Sequence, residues 1–388
     1  MQRTDRTLLT LLLSISFIGQ ASISMLNLAL VFFVRYTLQA SPSLVGIFAS
    51  TASVTYCISL LGLKRFRSQI KPLHAVIGST TVLAVIPVII VLTRQLPLAF
   101  MLYGLYGVGM SVFWPPVMGW LSRGREQHDL GRRMGQFNVS WSIGMILGPY
   151  AAGLLSELAP RFALLSAAGL ALVITLLTAY SALVLPDIRK VPSRSTLNAQ
   201  GPQTDESTPL RYLCWIGLFT GYFIFGITMN IFPMFAQERL GFPEGTIGFM
   251  LLIRGSATTA SFFLLGRSAW WHHRSSAMIG VQTAALLVCL FGSLLQGRLD
   301  TVLFMVLFGI CFAHIYSFAI FHGVSGSIDR EHRMALHEAV LTAGVFGGSS
   351  LGGMLFDLLT FRYTMLLAAA VAAVGLLGQL VVRRAVSR

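Results

Sequence analysis

The chain has 388 residues, 55% hydrophobic and 11% charged, with a mean hydropathy of +0.74 and a formal net charge of +14. Water-soluble domains carry about 25% charged residues, so this composition excludes an ordinary soluble core and makes lipid the expected solvent. Its four cysteines, Cys57, Cys214, Cys289 and Cys311, lie in apolar runs without metal-ligand spacing, so neither a disulfide framework nor a metal cluster is expected.

Twelve apolar runs follow in chain order, each about long enough to cross a hydrocarbon layer of ~30 Å. They fall near 8–34, 43–63, 73–93, 98–121, 137–155, 162–185, 212–236, 246–265, 275–295, 302–322, 335–356 and 363–382. Arg3 and Arg6 precede the first run as in a secretory signal, but the run is too long and lacks a small-x-small cleavage site. It is therefore read as a span. Span four carries Phe113-Trp114-Pro115-Pro116, which predicts a bend at the cavity wall or at the helix end. Between spans six and seven, residues 186–211 are rich in Pro, Ser, Thr and charge, the composition of a flexible linker. The expected domains are therefore 1–185 and 212–388, joined by that linker.

The basic residues sort by side. The N-terminus, even-numbered loops and C-terminus hold 21 Lys and Arg, the odd-numbered loops hold six, and Arg254 lies inside span eight. This asymmetry predicts cytoplasmic termini in a multi-pass protein of a prokaryotic inner membrane. It accounts for most of the positive charge without a nucleic-acid partner.

The second half repeats the first. Arg133-Met134 leads into a helix with Gly144, Gly148 and Gly153, and Arg333-Met334 leads into one with Gly344, Gly348 and Gly353, at a constant offset. Val45-Gly46 and Ile247-Gly248 open matching spans, and Leu61-Gly62 and Leu265-Gly266 close them. Such repeats are expected of transporters built from two like halves. Gly144, Gly148 and Ala152, like Gly344, Gly348 and Gly352, form a side-chain-poor stripe that admits a second helix closely. The stripes are read either as helix packing or as a gate between the halves. Pro149 should kink the first copy, and Ser349 stands in its place in the second.

Gly135, Gly144, Gly148-Pro149 and Ala152-Gly153 closely resemble the span-five "antiporter" motif of the major facilitator superfamily, G-x8-G-x3-G-P-x2-G-G, with Ala152 the one departure. With the 6+6 layout the resemblance covers essentially the whole chain. It implies an all-α membrane protein of two pseudo-symmetric six-helix bundles that rock about a central substrate site. It also implies that spans 1, 4, 7 and 10 line the cavity and that spans 5 and 8, and 2 and 11, meet at the domain interface. One family motif is poorly kept. The basic loops from Gly62 to Arg67 and from Gly266 to Arg274 contain no acid, which puts the family's charge-relay latch in doubt.

Ionisable groups inside a membrane are costly and usually functional. Arg254 is the clearest, read as an anion-binding or coupling residue or as an arginine satisfied by carbonyls or water. Glu338 sits near the start of span eleven beside His337. It is read as a proton-coupling group or as a helix-start carboxylate favoured by the dipole, too far from Arg254 for a salt bridge. His314, in span ten, falls opposite Trp114 and is read as a cavity group or a hydrogen-bonded core residue. Asn27 and Asn230 occupy near-equivalent positions in spans one and seven. Gln20, Tyr103, Tyr106, Trp114, Tyr222 and Tyr316 add polar or aromatic groups to the cavity-lining helices.

No P-loop, GxGxxG, H-E-x-x-H or G-x-S-x-G occurs, which argues against ATP-driven transport by this chain and against an enzyme. The expected function is secondary active transport of a small organic solute by alternating access, as proton-coupled export or antiport. The alternatives are uptake of an organic anion bound by Arg254, a lipid flippase, or a non-transporting membrane sensor. A small-molecule substrate, surrounding lipid, a monomer and no cofactor complete the reading.

Overall fold

The computed structural model describes residues 3–62, 70–122, 127–184, 207–327 and 330–386. The basic loop after Gly62 and the linker up to residue 206 lie outside the described residues. The fold is helical throughout, and twelve of its helices are long and apolar enough to cross a membrane. They are α1 (Arg3–Phe32), α2 (Pro42–Gly62), α3 (Pro72–Thr93), α4 (Leu96–Ser122), α5 (Gln127–Leu158), α6 (Pro160–Val184), α7 (Leu210–Asn230), α8 (Glu244–Leu265), α9 (Ser275–Gly292), α10 (Arg298–Val324), α11 (Arg330–Leu358) and α12 (Phe361–Val386). Their outer faces carry large exposed apolar side chains such as Leu92, Leu158, Leu183 and Val374, as a lipid solvent permits.

The helices depart from the apolar runs where polar sequence continues a helix or proline interrupts one. α5 and α11 begin well before their apolar runs, at Gln127 and Arg330, because a helix satisfies its own backbone whether lipid or water surrounds it. Span seven is broken: α7 stops at Asn230 and resumes as the short helix Phe232–Glu238, where Pro233 brings no N–H to the ladder. α4 runs as one helix through Pro115 and Pro116, and α5 through Pro149.

The chain forms two compact units. One comprises residues 1–38 and 54–199, the other 39–53 and 200–388, so the division falls inside α2.

In the first unit α1 is the central helix, packed against α5 and α6. A Cβ at Gly144 would lie 2.4 Å from the Phe17 carbonyl oxygen, and one at Gly148 2.7 Å from that of Ala21. Only glycine permits that approach. Polar side chains fasten the same seams. Ser140 Oγ donates to the Leu13 carbonyl at 2.6 Å, and Ser22 Oγ to that of Ala167 at 2.8 Å. Leu12, Ile15, Phe113, Val117 and Leu121 fill the core beneath.

The second unit repeats the scheme with α7 at its centre. A Cβ at Gly344 would lie 2.7 Å from the Phe219 carbonyl oxygen, one at Gly348 2.0 Å from that of Phe223, and one at Gly352 2.9 Å from Ile227 Cγ1. Each repeated glycine stripe therefore meets the central helix of its own unit. Buried glutamines hold α9 and α12 to α7. Gln282 Nε2 donates to Thr220 Oγ1 at 3.1 Å and to the Ala372 carbonyl at 3.0 Å, and Gln379 Nε2 to the Leu213 carbonyl at 2.8 Å. Such hydrogen bonds substitute in lipid for the hydrophobic driving force that water would supply. The first half of α2 lies on α11, where a Cβ at Gly353 would lie 2.5 Å from the Pro42 carbonyl oxygen. Ser43 Oγ there donates to Asp357 Oδ2 at 2.6 Å.

Candidate functional site

The buried stripe of α8 runs Ile247, Leu251, Arg254, Thr258, Ser261, Leu265, the i, i+3/i+4 spacing of one helix face, with a cation at its middle. Arg254 is 1% exposed. Its guanidinium carbon stands 5.1 Å from the Phe225 ring centroid, a cation–π contact. Among the described residues its Nε and Nη1 are buried without a hydrogen-bond partner, and no carboxylate closes a salt bridge on it. An unpaired buried charge costs several kcal/mol even after relaxation. The site therefore holds N–H donors that no described side chain takes up.

Phe225 is one member of an aromatic wall. Tyr222 and Phe225 share a face of α7, and Phe308, Phe312 and Tyr316 share a face of α10 at intervals of four. Phe225 stacks on Phe312 at 5.1 Å, while Tyr222 meets Phe312 at 5.1 Å and Tyr316 at 6.3 Å. Phe262 of α8 lies 5.8 Å from Tyr316. Beyond Tyr316, at 5.8 Å, is the ring of His337 on α11, 1% exposed and with neither ring nitrogen hydrogen-bonded among the described residues. Tyr222 is within electrostatic range of Arg254, Tyr316 and Glu338 together. The second unit thus carries a cation, an aromatic floor, and an imidazole with a carboxylate, in that order.

Glu338 makes no salt bridge to Arg254 among the described residues, and Tyr222 stands near both. The helix-start reading of Glu338 needs correction. α11 begins at Arg330, so Glu338 lies in its third turn, within electrostatic reach of Tyr222 and Tyr316. The apolar run had placed the helix start too late.

Apart from Tyr106, whose buried hydroxyl has no hydrogen-bond partner among the described residues, the remaining candidates have local partners. Asn27 accepts a hydrogen bond from the Tyr103 hydroxyl at 2.9 Å, and Gln20 Nε2 donates to Ser24 Oγ at 3.1 Å. Trp114 lies against Phe113 and Phe137 on the first unit's core cluster. Asn230 is buried in the α7–α11 seam, donating to Ser349 Oγ at 2.8 Å. Ser349, the counterpart of Pro149, thus supplies an acceptor that proline lacks. His314 Nδ1 lies 2.9 Å from the Ile310 carbonyl of its own helix, with its ring against Phe318. Two residues along α10 from Tyr316, it occupies a different face.

Sequence reasoning passed over Phe225, Phe262 and Phe312. The spacing of Phe308, Phe312 and Tyr316 was the available signal, but in a chain with 27 phenylalanines an aromatic stripe marks any packed helix.

Comparison with known proteins bears on the fold. A family model described as Major Facilitator Superfamily matches residues 12–327. Multidrug resistance protein 2 of Bacillus subtilis (strain 168) is 21% identical over 279 residues, which cover 70% of this chain and 69% of that protein. The crystal structure of the nucleoside transporter NupG superposes with a TM-score of 0.75 at 13% identity, over 97% of this chain and 98% of the other. A bacterial homolog of the human lysosomal transporter Spinster, inward-facing and occupied, superposes with a TM-score of 0.81 at 9% identity, over 99% and 98%. At these identities the structural likenesses speak for the fold alone.

Proposed function

We propose, from the premise that the chain belongs to the Major Facilitator Superfamily, that it exports a small organic anion by proton-coupled alternating access. The family supports transport of a small molecule across a membrane. The observation that carries the anionic substrate is Arg254, a buried cation without a protein counter-charge, seated on Phe225. A ligand carboxylate or sulfonate can take up its N–H donors in a fork, and the aromatic wall from Tyr222 to Tyr316 suits a flat apolar body. Export is supported by the glycine-proline motif around Gly148-Pro149 and by the likeness to a multidrug resistance protein. Glu338 is the proposed proton carrier, because it is a carboxylate inside a span and its neighbour Tyr222 also stands near the anion site.

The test is equilibrium binding to purified protein, using aromatic carboxylates paired with their neutral amides. The acids are expected to bind and the amides to bind about 10–100-fold more weakly, the range of one charged hydrogen-bonded contact. Arg254→Gln should remove that difference while the protein remains monodisperse in detergent. Equal binding of acid and amide to the unmodified protein would dispose of the anion assignment.

A further inference from the structure

At the end of the second unit where α9 stops and α12 starts is a cavity of about 220 Å³, lined by none of the residues of the Arg254 site. Phe235 and Arg239 line it from the short helix after α7, Ser293 and Leu295 from the end of α9, and Thr360 and Arg362 from the start of α12. Its floor is apolar: Phe235 stacks on Phe361 with ring centroids 4.1 Å apart and planes within 9°. Its wall holds two guanidinium groups, both on exposed residues, and among the described residues neither forms a salt bridge.

The two arginines are conspicuous for their side. Only six basic residues fall in the odd-numbered loops, against 21 on the opposite side, and two of those six line this one cavity. Solubility does not call for a cationic pair there, and the positive-inside asymmetry disfavours it. The cavity also lies where spans end, which is where a hydrocarbon layer matched to those spans would give way to headgroups. Its sequence neighbours are large, apolar and exposed: Leu294 at 59%, Leu358 at 70%, Leu359 at 49% and Tyr363 at 49%. Such side chains beside the cavity give acyl chains a surface to lie on, and tyrosine is at home at headgroup level.

We infer that this cavity binds the phosphate of a membrane lipid headgroup, held by Arg239 and Arg362, with the acyl chains along the neighbouring leucines. Paired planar guanidiniums match the oxygens of a phosphate diester. A bound headgroup would tie together the ends of α9, α12 and the helix after α7.

Native mass spectrometry of the detergent-purified protein tests this, with phosphatidylglycerol, phosphatidylcholine and inorganic phosphate added separately. Phosphatidylglycerol should be retained in preference to phosphatidylcholine, whose trimethylammonium the arginine pair repels. Inorganic phosphate should not be retained at the same concentration. The double variant Arg239→Gln/Arg362→Gln should lower phosphatidylglycerol retention about tenfold. Arg94→Gln/Arg161→Gln, which removes two odd-loop arginines from the first unit, should leave retention unchanged. Equal loss in both double variants would reduce the effect to general surface charge and overturn the site. Retention of inorganic phosphate to the same extent as lipid would overturn the lipid assignment. Unchanged retention in Arg239→Gln/Arg362→Gln would overturn the proposal outright. Both replaced side chains are exposed, so the variant is expected to fold, and its elution profile checks that.

Discussion

At the scale of the residue, Arg254 shows why type and geometry must be read together. A cation in a span, 246–265, that is otherwise uncharged is conspicuous in the sequence, because lipid penalises it whatever it does. What the sequence withholds is whether water, a carbonyl or a carboxylate satisfies it, since that depends on helices far away in the chain. The structure places Phe225 against it and leaves two of its nitrogens unpartnered. Asn230 is the converse case: a polar side chain buried within its span, whose amide is engaged by Ser349 in a packing seam. Arg254→Lys retains the charge but loses the planar fork and the stacking on Phe225. It is expected to leave the preference for acid over amide in place while weakening acid binding about tenfold. Lysine binding as tightly as arginine, in the same equilibrium assay, would show that charge alone suffices.

At the scale of the element, the spans and their order were legible, because a hydrocarbon layer imposes a length and an apolar composition that few other structures need. Helix ends were not, since α5 and α11 run on through polar sequence that lipid does not select. The break after α7 was signalled only by Pro233, in a chain where Pro115, Pro116 and Pro149 all sit inside continuous helices. The glycine stripes were legible as close-contact surfaces, but their partners, α1 and α7, followed from the fold. These contacts grade the glycines sharply. At Gly348 an added methyl would enter the Phe223 carbonyl, whereas at Gly135 it would meet nothing within 4 Å. Gly348→Ala should therefore destabilise the protein by about 1–3 kcal/mol, as overpacking does. Gly135→Ala should be neutral or stabilising by up to ~1 kcal/mol through helix propensity. Thermal unfolding of the two variants in the same detergent checks the contrast, and equal melting temperatures would refute the packing assignment.

At the scale of the molecule, the repeat supplies a scaffold and the differences supply the chemistry. In the first unit the buried side-chain polar atoms without partners are hydroxyls and an indole N–H: Ser16, Tyr106, Trp120, Ser156 and Thr178. In the second they include a guanidinium and the imidazoles of His322 and His337. Among the described residues, the buried cationic and imidazole nitrogens without partners thus lie in the second unit. Glu338→Gln should abolish uphill transport driven by a proton gradient in liposomes and leave downhill exchange of substrate intact. Loss of both would mark Glu338 as structural, and loss of neither would remove it from the coupling path. The uncompensated guanidinium has a further consequence for the protein as a folded body. On the proposed function, a solute that takes up the Arg254 N–H donors is expected to stabilise the fold, so loading and resistance to heat should rise together. A ligand at a hundred times its dissociation constant adds about 2.7 kcal/mol to stability. The melting temperature is therefore itself a detector, and a library of anions screened by heat alone would let the protein report which solute it carries.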